Sequence, residues 1–208
     1  MHVGCAIDLP RPRVELELGR RRHRRITAPA GLLLFACMFL PAVKGCSSPV
    51  YPIEAPMFLP PYLYGMVFAI AAATWTARGM RRAIDALRLV TIASIVAATV
   101  TMLLAPPIGV VELFAAVAVL ATIGWSGHSE RRAAVASLVI STLCTLWFGL
   151  WATTSEAMLG VYLAAAGSVM LLVGSCVWLG EAIAAKRTIS IPRAVAHLSH
   201  PRQTSRRA

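Results

Sequence analysis

Six long apolar runs, each closed by a short polar or proline-rich break, set the pattern of this chain. They lie at about Ile26 to Val43, Phe58 to Ala77, Leu89 to Ala105, Val110 to Ser126, Ala133 to Ala152 and Ala157 to Gly180. A hydrocarbon core about 30 Å thick is crossed by roughly 20 helical residues, so the runs have the length of membrane spans. The first, third and fourth are near the short limit, which local bilayer thinning or flanking residues accommodate. Lipid offers the backbone no hydrogen-bond partners, so the runs are predicted as helices. Between them stand "SSPVYPIEAPMFLPP", "RGMRR", "APPIG", "GHSERR" and "TTSEA", all rich in residues that end helices or prefer water. The pattern predicts an all-α fold, an integral membrane bundle of about six transmembrane helices over residues 26–185. A basic N-terminal segment at 1–25 and a basic tail at 186–208, read as disordered from its Pro, Ser, Thr and Arg content, flank the bundle.

Composition strengthens this picture. With 58% hydrophobic and 14% charged residues in 208, the chain has more apolar surface than one soluble core of this size could hide. The formal charge of +11 changes the picture only through its placement. With the N-terminus inside, 19 of the 20 Lys and Arg residues fall in inner segments, and Lys44 alone falls outside with Glu54, Glu112 and Glu156. The positive-inside rule then places both termini in the cytoplasm, in a multi-pass protein of the cell membrane. Trp75, Trp125 and Trp178 fall near proposed inner ends, and Tyr62 and Trp151 near outer ends, in agreement with an aromatic belt to which Trp147 is the loosest fit. The arginine cluster "GRRRHRR", Gly19 to Arg25, reads as an orientation signal that attracts anionic inner-leaflet lipid. It does not read as a nucleic-acid site, because no recognition fold or stacking platform accompanies it.

Chemistry-bearing residues are sparse. Proton-coupled carriers place a charged side chain inside the bundle, whereas here no charge lies deep in a run and Glu112 sits near an outer end. The five His and five Cys show no paired ligand spacing, so no metal and no cofactor is expected. "GWSGH", Gly124 to His128, resembles the G-x-S-G serine motif of rhomboid intramembrane proteases, over four residues. The resemblance implies a serine nucleophile at Ser126 and a histidine base on the sixth helix. Ser126 instead ends the fourth run, and no histidine lies between His128 and His197. A hydroxyl without a base in reach is a poor nucleophile, so no catalytic residue is assigned.

Packing features are clearer. On the sixth run Gly160, Ala164, Gly167, Leu171, Gly174 and Trp178 recur at steps of four and three, on one helix face. Small residues let another backbone approach closely, a main source of association in lipid. Gly160, Ala164, Gly167 and Gly174 are therefore the predicted helix-packing residues. Thr91, Ser94, Ala98 and Thr101 form a polar stripe on the third run, and Ser137, Ser141 and Cys144 one on the fifth. No internal repeat relates the halves. These features point to a noncatalytic membrane protein that acts through helix packing or partner binding, as a homo-oligomer or beside another membrane protein. A small transporter or channel for a neutral solute and an intramembrane serine hydrolase are the alternatives.

Reporter fusions after Arg82, Arg132 and Ala208 should behave as cytoplasmic, and those after Pro56 and Ser155 as external. An external signal at Ala208 would break the six-span topology.

"LPAVKGCSS", Leu40 to Ser48, raises a separate question. An arginine-rich start, an apolar stretch and a cysteine after glycine resemble a bacterial lipoprotein signal cut before Cys46. Lys44 stands where that signal has a small uncharged residue, and the polar region before the apolar stretch is long for a leader of about 15–30 residues in all. Retention of the first helix is therefore expected, with Cys46 a free external thiol. A membrane-impermeant maleimide should then label the full-mass chain once, at Cys46. An acylated chain that begins at Cys46 and refuses the label would overturn this.

Overall fold

The computed structural model describes residues 22–45, 48–55, 58–74, 76–126 and 130–198. Among them are six α-helices: α1 (His23–Ala36), α2 (Leu59–Ala73), α3 (Ala77–Leu104), α4 (Pro106–Ser126), α5 (Glu130–Ala152) and α6 (Leu159–Leu198). Four helices contain stretches long and apolar enough to cross a membrane: Gly79–Leu104, Pro106–Gly124, Ala133–Ala152 and Leu159–Ala184. The other two are shorter, with 14 residues in α1 and 15 in α2. The helices form a ring in chain order, each against its neighbours, with α1 closing on α6.

Local chemistry explains the ends. α3 starts at Ala77 because Thr76, in extended conformation, accepts a hydrogen bond from the Gly79 N–H at 2.9 Å, an N-cap that satisfies one of the first turn's orphan donors. "RGMRR", expected as a break, is thus the first part of α3: its charges mark where the apolar surface stops and leave the backbone helical. Ala105 alone separates α3 from α4. Pro106 and Pro107 open α4, where their missing N–H groups cost nothing. Gly109 brings the α4 backbone directly against Met102. α6 runs from Leu159 to Leu198, beyond the end of the sixth apolar run; Ala182, Ala184, Ala185, Lys186 and Arg187, strong helix formers, carry it past Gly180.

An extended segment between α1 and α2 departs from the all-α expectation. A 3-10 turn at Cys37–Phe39 prolongs α1, and β1 (Val43–Lys44) then pairs antiparallel with β2 (Pro49–Val50), Val43 opposite Val50. The same segment docks on the α5–α6 connection. Lys44 N–H donates to Glu156 O (2.8 Å), Met158 N–H to Ala42 O (2.9 Å) and Gly160 N–H to Pro41 O (3.0 Å). The last bond satisfies a donor in the first turn of α6.

The predicted packing face of α6 lies along α1. A Cβ added at Gly160 would stand 2.6 Å from the Pro41 oxygen, at Gly174 2.6 Å from Thr27 Oγ1, and at Gly167 3.5 Å from the Leu34 nitrogen. Ala164 is fully buried between them. On its other side α1 meets α2 still more tightly. A Cβ on Gly31 would fall 2.5 Å from the Gly65 oxygen, and one on Gly65 2.8 Å from the Gly31 oxygen. Such contacts admit no side chain without separating the helices.

Gly31→Ala or Gly65→Ala should therefore lower unfolding stability by about 1–3 kcal/mol, the usual overpacking cost. Gly167→Ala, which meets only ordinary van der Waals contact, should not lower it and should gain up to about 1 kcal/mol from helix propensity. Denaturant titration in mixed micelles reads the difference, and equal losses at all three positions would refute the close-approach geometry.

Candidate functional site

Two polar constellations occupy opposite ends of the bundle. The first joins the start of α1 to α6. Glu181 accepts from the Arg22 N–H (3.0 Å) through Oε1 and from His23 Nδ1 (2.7 Å) through Oε2. A carboxylate at a helix N-terminus meets both unpaired N–H groups and the positive end of the dipole. The His23 ring is 1% exposed and stacks on Trp178 at 5.3 Å and 11°. Trp178 Nε1 in turn donates to Glu130 Oε1 (3.3 Å), at the start of α5. Beside this group Arg24 caps the end of α2, donating from Nε to Ala72 O (2.7 Å) and from Nη2 to Ala73 O (3.3 Å). A cation on the last carbonyls of a helix contributes about 0.3–1 kcal/mol. These pairs are at least 48 residues apart in sequence, which is why spacing alone did not reveal them.

The second constellation is a cavity of about 240 Å³ between α2, α3, α4 and α5. It lies where α2 and α4 begin and α3 and α5 approach their ends. Pro60, Pro61 and Tyr64 reach it from α2, and Ser94 from α3. α4 contributes Glu112, Ala116 and Val119, and α5 contributes Ile140, Cys144 and Trp147. The walls are overwhelmingly apolar, the usual character of a small-molecule site. Two buried polar atoms on this lining, Glu112 Oε1 and Trp147 Nε1, have no hydrogen-bond partner within the protein. Trp147 packs edge-on against Trp151 at 6.0 Å.

The hydroxyl stripes behave differently. Thr91, Ser94 and Thr101 donate to the carbonyls of Leu87, Val90 and Ala97 one turn back, and the Tyr64 hydroxyl stands 2.9 Å from Thr91 Oγ1. Ser137 and Ser141 meet Ser175 of α6 at 2.7 and 3.3 Å, and Ser175 donates to Leu171 O. Ser137, Ser141 and Ser175 are fully buried, so the fifth-helix stripe is a helix-to-helix seam. Only Ser94 and Cys144 of the two stripes reach the cavity.

The predicted packing residues Gly160, Ala164, Gly167 and Gly174 all lie on the α1 side of α6 and away from this cavity. Ser126 is the last residue of α4; His128 and Cys46 lie outside the described residues. No group of three or more His, Cys, Asp or Glu side chains capable of holding a metal occurs among the described residues. Glu112 stands out in the sequence as a charge near an outer end, and the two stripes as candidate lining of a cavity between helices, but most of the lining comes from four helices meeting and has no local signal. Compared with known protein families, with characterised proteins and with solved structures, the chain shows no match.

Proposed function

We propose that this chain is a noncatalytic multi-pass protein of the cell membrane that binds a lipophilic small molecule in the cavity between α2, α3, α4 and α5. The observation that carries the reading is the pair of unpartnered buried polar atoms, Glu112 Oε1 and Trp147 Nε1, on one apolar cavity of about 240 Å³. Buried polar atoms are nearly always hydrogen-bonded, so two exceptions on the lining of one cavity, from α4 and α5, support a guest there.

Six crossings with both termini cytoplasmic frame this site. Alongside α6, the chain from His23 to Pro41 covers the stretch from Glu181 to Gly160, about 31 Å at the helical rise per residue. That matches a hydrocarbon core of about 30 Å and supports α1 with its extended continuation as a crossing. α2 runs antiparallel beside it, and the 19-to-1 division of Lys and Arg supports the orientation. In that orientation the cavity lies in the outer half of the bilayer, and the His23–Glu181 cluster at the inner surface with anionic lipid as neighbour. The glycine face of α6 is taken by α1, so a second copy or another membrane protein would meet the outward apolar surface of α3 and α4. Among the described residues no histidine lines the cavity, and the Ser94 hydroxyl is engaged with Val90 O, which favours a binding role over nucleophilic catalysis. The internally bonded hydroxyl stripes likewise favour a receptor over a solute path.

Thermal unfolding in nanodiscs of uncharged lipid tests this with 1-octanol as probe. Saturating octanol should stabilise the protein, by about 1.4 kcal/mol at tenfold excess over Kd, and Ala116→Phe, which fills the cavity, should remove the effect. An identical response of the two proteins would defeat the reading.

A further inference from the structure

We infer that the guest is a lipophilic amine, held by an ion pair between its ammonium group and the Glu112 carboxylate. This rests on the binding reading above. Glu112 belongs to the second turn of α4, about 9 Å along the helix from Pro106 at the standard rise. Its neighbour for hydrogen bonding is the Thr101 hydroxyl, which already donates to Ala97 O at 3.0 Å, and its Oε1 is unpartnered. No Lys, Arg or His lies among the described residues of the cavity lining. Glu112 is half-buried, with Oε1 its enclosed oxygen, so the carboxylate is partly withdrawn from water with no countercharge beside it, an arrangement that costs free energy until a cation is supplied. The protein supplies every other requirement of an alkylammonium guest and omits only the cation.

Those other requirements are aromatic faces and an apolar channel. Tyr64 and Trp147 line the same cavity as Glu112, and aromatic rings attract a desolvated ammonium group through their quadrupole. Val119, Ile140 and Leu143 form apolar wall for an alkyl chain. At about 30 Å³ per water-sized unit, the volume corresponds to about eight such units, which suits a medium-length chain better than a two-tailed lipid. An anionic guest would meet the carboxylate with like charge. A neutral alcohol would gain the apolar contacts but leave the charge uncompensated.

Binding isotherms in nanodiscs of uncharged lipid at pH 7, with octylamine, 1-octanol and octanoate as probes and protein-free nanodiscs correcting for partition, decide the matter. Octylamine should bind about tenfold more tightly than octanol, as a charge-assisted contact replaces a neutral one, and octanoate should not bind saturably. In Glu112→Gln the amine should lose that advantage while octanol binds as before, which also shows that the variant is folded; Glu112→Asp should retain part of the preference. Equal affinity for amine and alcohol in the native protein, with both lost in Ala116→Phe, would overturn the amine and leave the cavity reading standing. An amine preference that survives Glu112→Gln would also overturn it. Failure of all three probes to bind saturably would remove the cavity reading together with it.

Discussion

The backbone of α1 lies against that of α2 at a distance that admits no side chain, while its Thr27 side chain and the Pro41 carbonyl beyond it seat against glycines of α6, and the rest of the bundle is arranged around this close approach. Gly31 faces Gly65 on α2, while Gly160 and Gly174 of α6 receive Pro41 and Thr27. Apolar side chains gain nothing from leaving lipid for a lipid-like interior, so close van der Waals contact and interhelical polar pairs must hold such a bundle. Both are present along α1. Its N-terminal end is fixed to α6 through Glu181 and to α2 through Arg24, and its far end is tied to α6 by the Pro41 carbonyl. Because α1, the first helix, packs against α6, the last, a row of antiparallel neighbours becomes a closed ring.

The same tightness determines where the bundle is loose. α3 and α4 form a close hairpin but meet α2 and α5 over less of their length than the other neighbours meet each other. Their flanks carry outward residues such as Leu89, Leu103, Leu104 and Phe114. Across the ring Tyr62 meets Phe148 edge-on at 5.1 Å and fills the interior beside α1. Toward the α3–α4 hairpin the lining turns to prolines and to small side chains, Ala115 and Ala116, and the space is left as the cavity.

How much of this could be read from the sequence follows from the range of each interaction. Helix number and order were legible because apolar length is a local property, and the small-residue face of α6 because helical period is local too. α3 begins twelve residues, more than three turns, ahead of the predicted Leu89, because the Thr76 side chain caps a helix where the charges of "RGMRR" suggest a break. β1 and β2 were missed because two-residue strands have no periodicity; their register comes from docking on the α5–α6 connection. His23 with Glu181, and Trp178 with Glu130, were invisible because each residue alone looks like an ordinary interfacial side chain. Glu112 was legible as a charge inside an apolar run. What surrounds it was not, because the lining is drawn from four helices.

Charge is treated differently at the two ends of the molecule, and the contrast locates the functional question. At the basic end each acid of the cluster has donors: Glu181 takes the Arg22 N–H and His23, and Glu130 takes the Trp178 indole. These contacts link α1, α5 and α6 and explain themselves as structure. At the other end Glu112 faces a largely apolar cavity with an unpartnered oxygen, beside an indole N–H in the same condition. Replacing it by an apolar residue of similar volume would relieve a desolvation cost and leave the glycine seam untouched. A fold gains nothing from such a group, and local rules of polar satisfaction are broken mainly where a protein does something besides fold. On the binding reading proposed above, the carboxylate serves the guest, and the seam around α1 serves stability.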